Sequence, residues 1–347
     1  MRAIHGGDVY RNHVDIDFSV NINPFGMPEG VEEALHNAVK NCFQYPDIKA
    51  EKLKKALSSA LGVKEEQLLF GNGASELFLG IVHAIKPKKV LIPVPSFYGY
   101  EYASQTVESY TLYYPLKEDK DFMLEESFFE VLTEEIDLLF LAHPNNPTGK
   151  LMNRDYLKKL LRICKEKNIW VVLDECFIEF CGNEFSILPE IDTYDNLLLV
   201  RAFTKIYAIP GVRLGYLVCS NTSLLEKIRQ HLPEWNLSTF AQEAGIACVK
   251  QSSFIAKTVD YVRKERQFLL EHLNQLGVKT FPGEANFILL YSEKLLYEAL
   301  LKQGILIRDC ENFRGLSKGY YRIAVKTRKE NEILLKAIAK VYCTRVV

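Results

Sequence analysis

Hydrophobic positions along this chain follow two alternating patterns. Short unbroken apolar runs recur as QLLF (67–70), KVLIPV (89–94), DLLFLA (137–142), IWVVLDE (169–175), NLLLVRA (196–202) and RLGYLVC (213–219). They lack the polar alternation of a half-exposed strand, and their leucine and β-branched content predicts strands covered on both faces. Between them the apolar spacing lengthens to three and four, as in SELFLGIVHAI and RDYLKKLLRICKEKN, which predicts amphipathic helices. Asn153 stands where it can cap the second of these, and basic residues gather toward its far end, where they suit the helix dipole. Strands and helices in this alternation predict an α/β fold with a mostly parallel sheet and helices on both sides.

After about residue 235 the pattern changes. The helical stretches SFIAKTVDYVRKERQFLLEHLNQLG and LLYEALLKQG now alternate with the strand candidates NFILLY (286–291), ILIRDC (305–310) and YYRIAVK (320–326). This predicts a smaller α+β domain, whereas the first 25 or so residues have little periodicity and predict an extended arm. The expected division is an arm over 1–25, a large domain over 26–235 and a small C-terminal domain over 236–347.

Composition narrows the function classes. The chain has 347 residues, 48% hydrophobic and 25% charged, which is enough apolar material for a large core. Its 43 basic and 44 acidic residues give a net charge of −1, so no basic field draws nucleic acid or a membrane surface, and anion recognition must be local. The eight cysteines form no C-x-x-C pair and no zinc spacing, so no metal site is expected. Scattered thiols without a signal peptide suit a cytoplasmic protein. The apolar runs are far shorter than a membrane span.

In an open parallel sheet, ligands gather beyond the carboxyl ends of the strands, so the residues after each run carry the candidate chemistry. After QLLF comes GNGASE (71–76). Its glycines allow a tight turn, and N–H groups at Gly73, Ala74 and Ser75 at a helix start suit a phosphate. The same residues also read as a plain glycine turn capped by Ser75. After DLLFLA comes HPNNPTG (143–149), a rigid turn presenting the amides of Asn145 and Asn146. IWVVLDECF leaves Asp174 at the end of a buried strand, where an ionised carboxylate is costly unless a cation meets it. The ordinary readings are a salt bridge to an arginine or an exposed strand end; the functional one is the protonated ring nitrogen of a cofactor. NLLLVRA delivers Thr204 and Lys205 to the same edge, with Arg213 eight residues beyond the lysine. A hydroxyl and a second cation beside a glycine cradle would complete a phosphate pocket. Each piece taken singly has an ordinary structural explanation; their shared order along successive strands does not.

That order resembles the fold-type I pyridoxal-phosphate enzymes, specifically the histidinol-phosphate aminotransferase branch, over essentially the whole chain. The resemblance implies that Lys205 binds pyridoxal 5′-phosphate covalently and that Asp174 pairs with the ring nitrogen and keeps it protonated, making the ring an electron sink. It implies that Asn146 bonds the ring 3′-oxygen, that Phe97 stacks on the ring, and that Gly73, Ala74, Ser75, Thr204 and Arg213 hold the phosphate. Tyr45, in QYPD, matches a tyrosine that reaches the phosphate from the neighbouring subunit, so a homodimer with shared sites is implied.

Within that branch the chain is more similar to the L-threonine O-3-phosphate decarboxylases of cobalamin biosynthesis. The matching segments are HGGD (5–8), DFSVNINPFGMP (17–28), FTKIYAIPGVRLGYLV (203–218) and ILIRDCENFRGLSKGYYRIAV (305–325). Phe177 stands where histidinol-phosphate aminotransferases usually carry a tyrosine that bonds the 3′-oxygen. By this similarity His5, Gly6, Asn21, Asn146, Arg308 and Arg322 would hold the phosphate and carboxylate of a small phospho-amino acid, Arg322 by a bidentate fork. The expected reaction is pyridoxal-phosphate-dependent decarboxylation of O-phosphothreonine, or of O-phosphoserine, to the aminoalkyl phosphate. The alternatives are a histidinol-phosphate-type aminotransferase and, more remotely, an inactive pyridoxal-phosphate-binding relative, which the presence of Lys205 and Asp174 opposes. Two departures stand out: HGGD in place of the commoner HGGN, and Cys176 in place of the usual alanine.

Overall fold

The computed structural model describes residues 5–343. Strand β1 (Ile16–Asp17) stays apart from the main sheet, which is built from β2 (Leu68–Gly71), β3 (Lys89–Val94), β4 (Tyr110–Pro115), β5 (Leu138–Ala142), β6 (Trp170–Asp174), β7 (Leu197–Ala202) and β8 (Gly215–Val218). Its order is β2-β8-β7-β6-β5-β3-β4, and β8 runs antiparallel to both neighbours while β3 to β7 are mutually parallel. The predicted runs form the centre. Val171, Val172, Leu173 and Leu197 to Val200 are fully buried, each such side chain contributing on the order of 2 kcal/mol of transfer free energy. Strand β4, YTLYYP, escaped prediction because it lies at the sheet edge with both ends exposed and its middle only half-buried, so it forms no apolar run.

Helix predictions hold where the apolar stripe is clear. Helix Arg154–Glu166 buries Leu157, Leu160, Leu161 and Cys164, and the Asn153 side chain caps it by accepting from the Asp155 N–H at 2.8 Å. Helix Ala74–Ile85 starts differently from the capped-turn reading. Gly73 occupies the cap position at φ +79°, and Ser75 lies inside the first turn. The Gly73 N–H donates back to the Gly71 carbonyl at 2.7 Å, so the anion-facing amides of this helix start at Ala74.

The second sheet is antiparallel. It takes β9 (Lys279–Phe281) and β10 (Phe287–Tyr291), while the run predicted as one strand over 305–310 breaks at Ile307 into β11 (Ile305–Leu306) and β12 (Arg308–Asp309). With β13 (Tyr320–Ala324) the order is β12-β13-β10-β9, and β11 instead pairs in parallel with β1. The arm is therefore a strand whose partners lie some 290 residues away, the Ile16↔Ile305 pairing being extended by Phe18 N–H to Leu306 O at 2.7 Å. A little further on, the Asn23 N–H donates to Lys205 O at 3.1 Å and its side chain to Ile206 O at 2.7 Å, so the same segment also grips the large sheet. Helix Thr239–Val249 packs on helices Glu29–Ala38 and Glu51–Leu61 of the large body. We propose that the small domain starts at the helix Ser252–Gln275, later than residue 235, and takes in residues 15–18 through β11.

Candidate active site

The parallel strands deliver their chemistry to one edge. Beyond β5 lies Asn146, at the end of β6 Asp174 followed by Phe177, beyond β7 Thr204 and Lys205, and beyond β2 Ala74 and Ser75. Because β8 is reversed, Arg213 just ahead of it reaches the same edge. Ala74, Ser75, Phe97, Asn146, Asp174, Phe177, Thr204, Lys205 and Arg213 all line one cavity of about 110 Å³. It opens into a cleft of about 640 Å³ lined also by His5, Gly6, Asn21, Arg308 and Arg322. Every expected site residue but Gly73 and Tyr45 lines these two spaces. Gly73 acts through its backbone: a Cβ there would lie 2.3 Å from Arg213 Nη2, so only glycine lets the guanidinium close over the turn.

Asp174 is held from both sides. Its Oδ1 accepts from the Cys176 N–H at 2.9 Å and its Oδ2 from the Tyr100 hydroxyl at 2.6 Å. Burial raises its pKa, and these hydrogen bonds and Lys205 oppose the rise. Burial likewise lowers the Lys205 pKa, Arg213 and Arg322 adding to the drop, which favours a neutral amine. Tyr100 was not anticipated from sequence. It is fully buried, stacks on Phe140 with centroids 5.1 Å apart, and lies one helical turn past Phe97, a spacing that was the available signal.

The cleft collects cations. Arg308 and Arg322 are directly paired across β12 and β13, so their side chains share one face of the sheet, and both are buried. Like charges in that arrangement repel, unless an anion lies between or beside them. Burial lowers the Arg322 pKa to about 10, with Arg308 contributing. Arg322 Nη2 donates to Ser19 O at 2.9 Å and Nη1 donates to Asn146 Oδ1, which leaves the Asn146 amide N–H groups as donors. Arg308 Nη2 donates to Asn312 Oδ1 at 2.7 Å, and the guanidinium lies 5.1 Å from the Phe313 ring centroid. His5 sits at the mouth, its ring 5.8 Å from that of Phe97, and its pKa is lowered by burial and by Arg308, Arg322 and Lys205. Gly6 lets the terminal segment close on the chain at Ser19, whose carbonyl oxygen would be 2.3 Å from any Cβ.

These residues suit pyridoxal phosphate. The Oδ1 of Asn21, only 3% exposed, and the buried Nε of Arg322 have no hydrogen-bond partner, so polar groups stand ready in the cleft. Ser75, Thr204 and Arg213 beside a helix N-terminus form the donor set a phosphate requires. At the other end the Asp174 carboxylate would pair with a ring nitrogen, Lys205 would hold the aldehyde, and Phe97 would offer an aromatic face. Phe177 presents no hydroxyl; its ring packs edge-on against Phe287 at 5.2 Å. Tyr45 is 80% exposed and lies tilted against Trp235, with centroids 5.0 Å apart, and does not line this chain's own cavity.

Comparison with known proteins agrees with this geometry. The family model described as aminotransferase class I and II matches residues 14–338. The threonine-phosphate decarboxylase of Salmonella typhimurium is 36% identical over 94% of this chain and 91% of its own. Among solved structures, the histidinol-phosphate aminotransferase of Clostridium acetobutylicum superimposes with a TM-score of 0.89 at 34% identity, covering 94% of this chain and 99% of that one. The L-threonine-O-3-phosphate decarboxylase of Porphyromonas gingivalis does so with a TM-score of 0.85 at 27% identity, covering 94% and 98%.

Proposed function

The chain belongs to the aminotransferase class I and II family, and from that premise we propose that it is a pyridoxal-phosphate-dependent decarboxylase of L-threonine O-3-phosphate, acting in cobalamin biosynthesis. The observation that carries the reading is the buried Arg308–Arg322 pair beside the cleft that Lys205 also lines, because two adjacent guanidiniums match a substrate with both a carboxylate and a phosphate. When bound, pyridoxal phosphate supplies an electron sink for the pair left on the substrate's α-carbon as a bond there breaks. Lys205 would hold it through Nζ, the lowered pKa of the amine favouring its neutral form. Asp174, oriented by Tyr100 and the Cys176 amide, would hold a proton on the ring nitrogen. His5, Asn21, Arg308 and Arg322 grip the two anionic ends of the substrate, and Lys205 is also the amine placed to move a proton.

Purified protein supplied with pyridoxal phosphate and O-phosphothreonine is expected to release carbon dioxide and the aminopropanol phosphate. O-phosphoserine, one methyl smaller, should react with kcat/KM lower by roughly tenfold. Borohydride should fix the cofactor to Lys205, and Lys205→Ala should abolish the yellow colour. The second reading, an aminotransferase, draws on the likeness to the Clostridium acetobutylicum enzyme. It is adopted if histidinol phosphate plus 2-oxoglutarate yields glutamate with no carbon dioxide released from O-phosphothreonine. We further propose a cytoplasmic homodimer in which Tyr45 completes the partner's phosphate site.

A further inference from the structure

One ion pair spans the mouth of the cleft. Arg314, in the loop between β12 and β13, forks onto Glu101 in helix Tyr98–Gln105, with Nη2 to Oε1 at 2.9 Å and Nε to Oε2 at 3.3 Å. The guanidinium also lies over Tyr113 of β4, 4.0 Å from the ring centroid. The pair joins the two sides of the site. The loop that carries Arg314 also carries Asn312 and Phe313, which hold the Arg308 guanidinium by a hydrogen bond and a ring face. Helix Tyr98–Gln105 starts directly after Phe97 and carries Tyr100, the hydrogen-bond partner of Asp174. Glu101, Tyr113 and Arg314 all line the cleft itself.

We propose that Glu101 and Arg314 are positioning residues: their clasp sets where Arg308 stands relative to the cofactor pocket, and so governs affinity for the substrate's anionic group. This rests on the proposed function only for the identity of the substrate; the clasp itself would govern any anion held by Arg308. The fork geometry supports the assignment, because a bidentate guanidinium–carboxylate pair fixes orientation as well as distance. Its partial exposure limits the size of the effect.

The test uses holoenzyme carrying Glu101→Gln, Arg314→Met, Arg314→Lys and the charge-swapped Glu101→Arg/Arg314→Glu pair. KM and kcat are measured with O-phosphothreonine, and the dissociation constant of inorganic phosphate is measured independently by its effect on the cofactor's absorbance. Glu101→Gln and Arg314→Met are each expected to raise KM and the phosphate constant about two- to fivefold, the loss expected for one partly exposed ion pair. They should leave kcat within about twofold and leave pyridoxal-phosphate affinity and Tm unchanged. Arg314→Lys, which keeps charge but loses the fork, should fall between, and the swapped pair should recover part of the loss. Unchanged KM and phosphate constants, or parallel losses in Tm and cofactor affinity, would overturn the proposal. A lower KM in Glu101→Gln would also overturn it, by making Arg314 a substrate ligand that Glu101 restrains. If wild-type protein leaves O-phosphothreonine untouched, the substrate assignment fails, while the phosphate constants still decide the clasp.

Discussion

Asp174 carries opposing influences within a few ångströms: burial pushes its carboxyl toward the neutral form, and the Tyr100 hydroxyl and Cys176 amide pull it back. Tyr100→Phe removes one of these bonds with almost no change in volume, so the carboxyl pKa should climb further. Cofactor binding that needs an ionised Asp174 weakens as pH falls through that pKa, and in the variant the weakening should begin at higher pH. The expected result is a dissociation constant for pyridoxal phosphate raised about threefold to tenfold near neutrality, the worth of roughly one ordinary hydrogen bond, and raised more at acid pH. Titration of apoprotein by absorbance across pH checks this; a pH profile parallel to wild type would show that Tyr100 only fills space.

Among the elements, the turn from β2 into helix Ala74–Ile85 is the most tightly specified. Gly73 stands at φ +79°, its missing side chain leaves the space taken by Arg213, and Gly215 on β8 comes so close that a Cβ would lie 2.7 Å from the Ala74 nitrogen. Gly73→Ala should therefore cost about 1–3 kcal/mol of stability through backbone strain. It should also displace Arg213, raising the cofactor dissociation constant at least about tenfold. Thermal unfolding of the apoprotein and cofactor titration measure the two effects separately, and an unaltered cofactor affinity would remove Arg213 from the phosphate site. Strands β11 and β12 make a related point. Breaking at Ile307 sends Ile305 and Leu306 to pair with the N-terminal arm while Arg308 pairs with Arg322, so one short run serves two sheets.

The molecule exposes an aromatic pair, Tyr45 and Trp235, with Phe43 also exposed two residues before Tyr45. Its Tyr45 matches a residue expected to act on a second copy's phosphate site, so the dimer and the active site are one proposal at this scale. Sedimentation at assay concentration should give twice the 39.8 kDa chain mass. Tyr45→Phe should keep that mass yet weaken cofactor binding roughly tenfold, as expected for one lost hydrogen bond to an anion. A fully active monomer would refute the shared site.

Local patterning was enough to place the central strands, the capped helix after Asn153, and the delivery of Asn146, Asp174, Thr204 and Lys205 to one edge of the sheet, though not their order along it. Those features depend on neighbours a few residues away and on apolar runs that can only be buried on both faces. Edge strand β4, the pairing of β1 with β11, the Tyr100 bond to Asp174 and the juxtaposition of Arg308 with Arg322 were decided only by the tertiary structure. Each depends on a partner from 14 to about 290 residues distant, or on which face of an element turns inward. Backbone pairing and buried hydrogen bonds of that range leave no periodic trace in a single chain, because any residue with a free N–H or a suitable side chain could have supplied the other half.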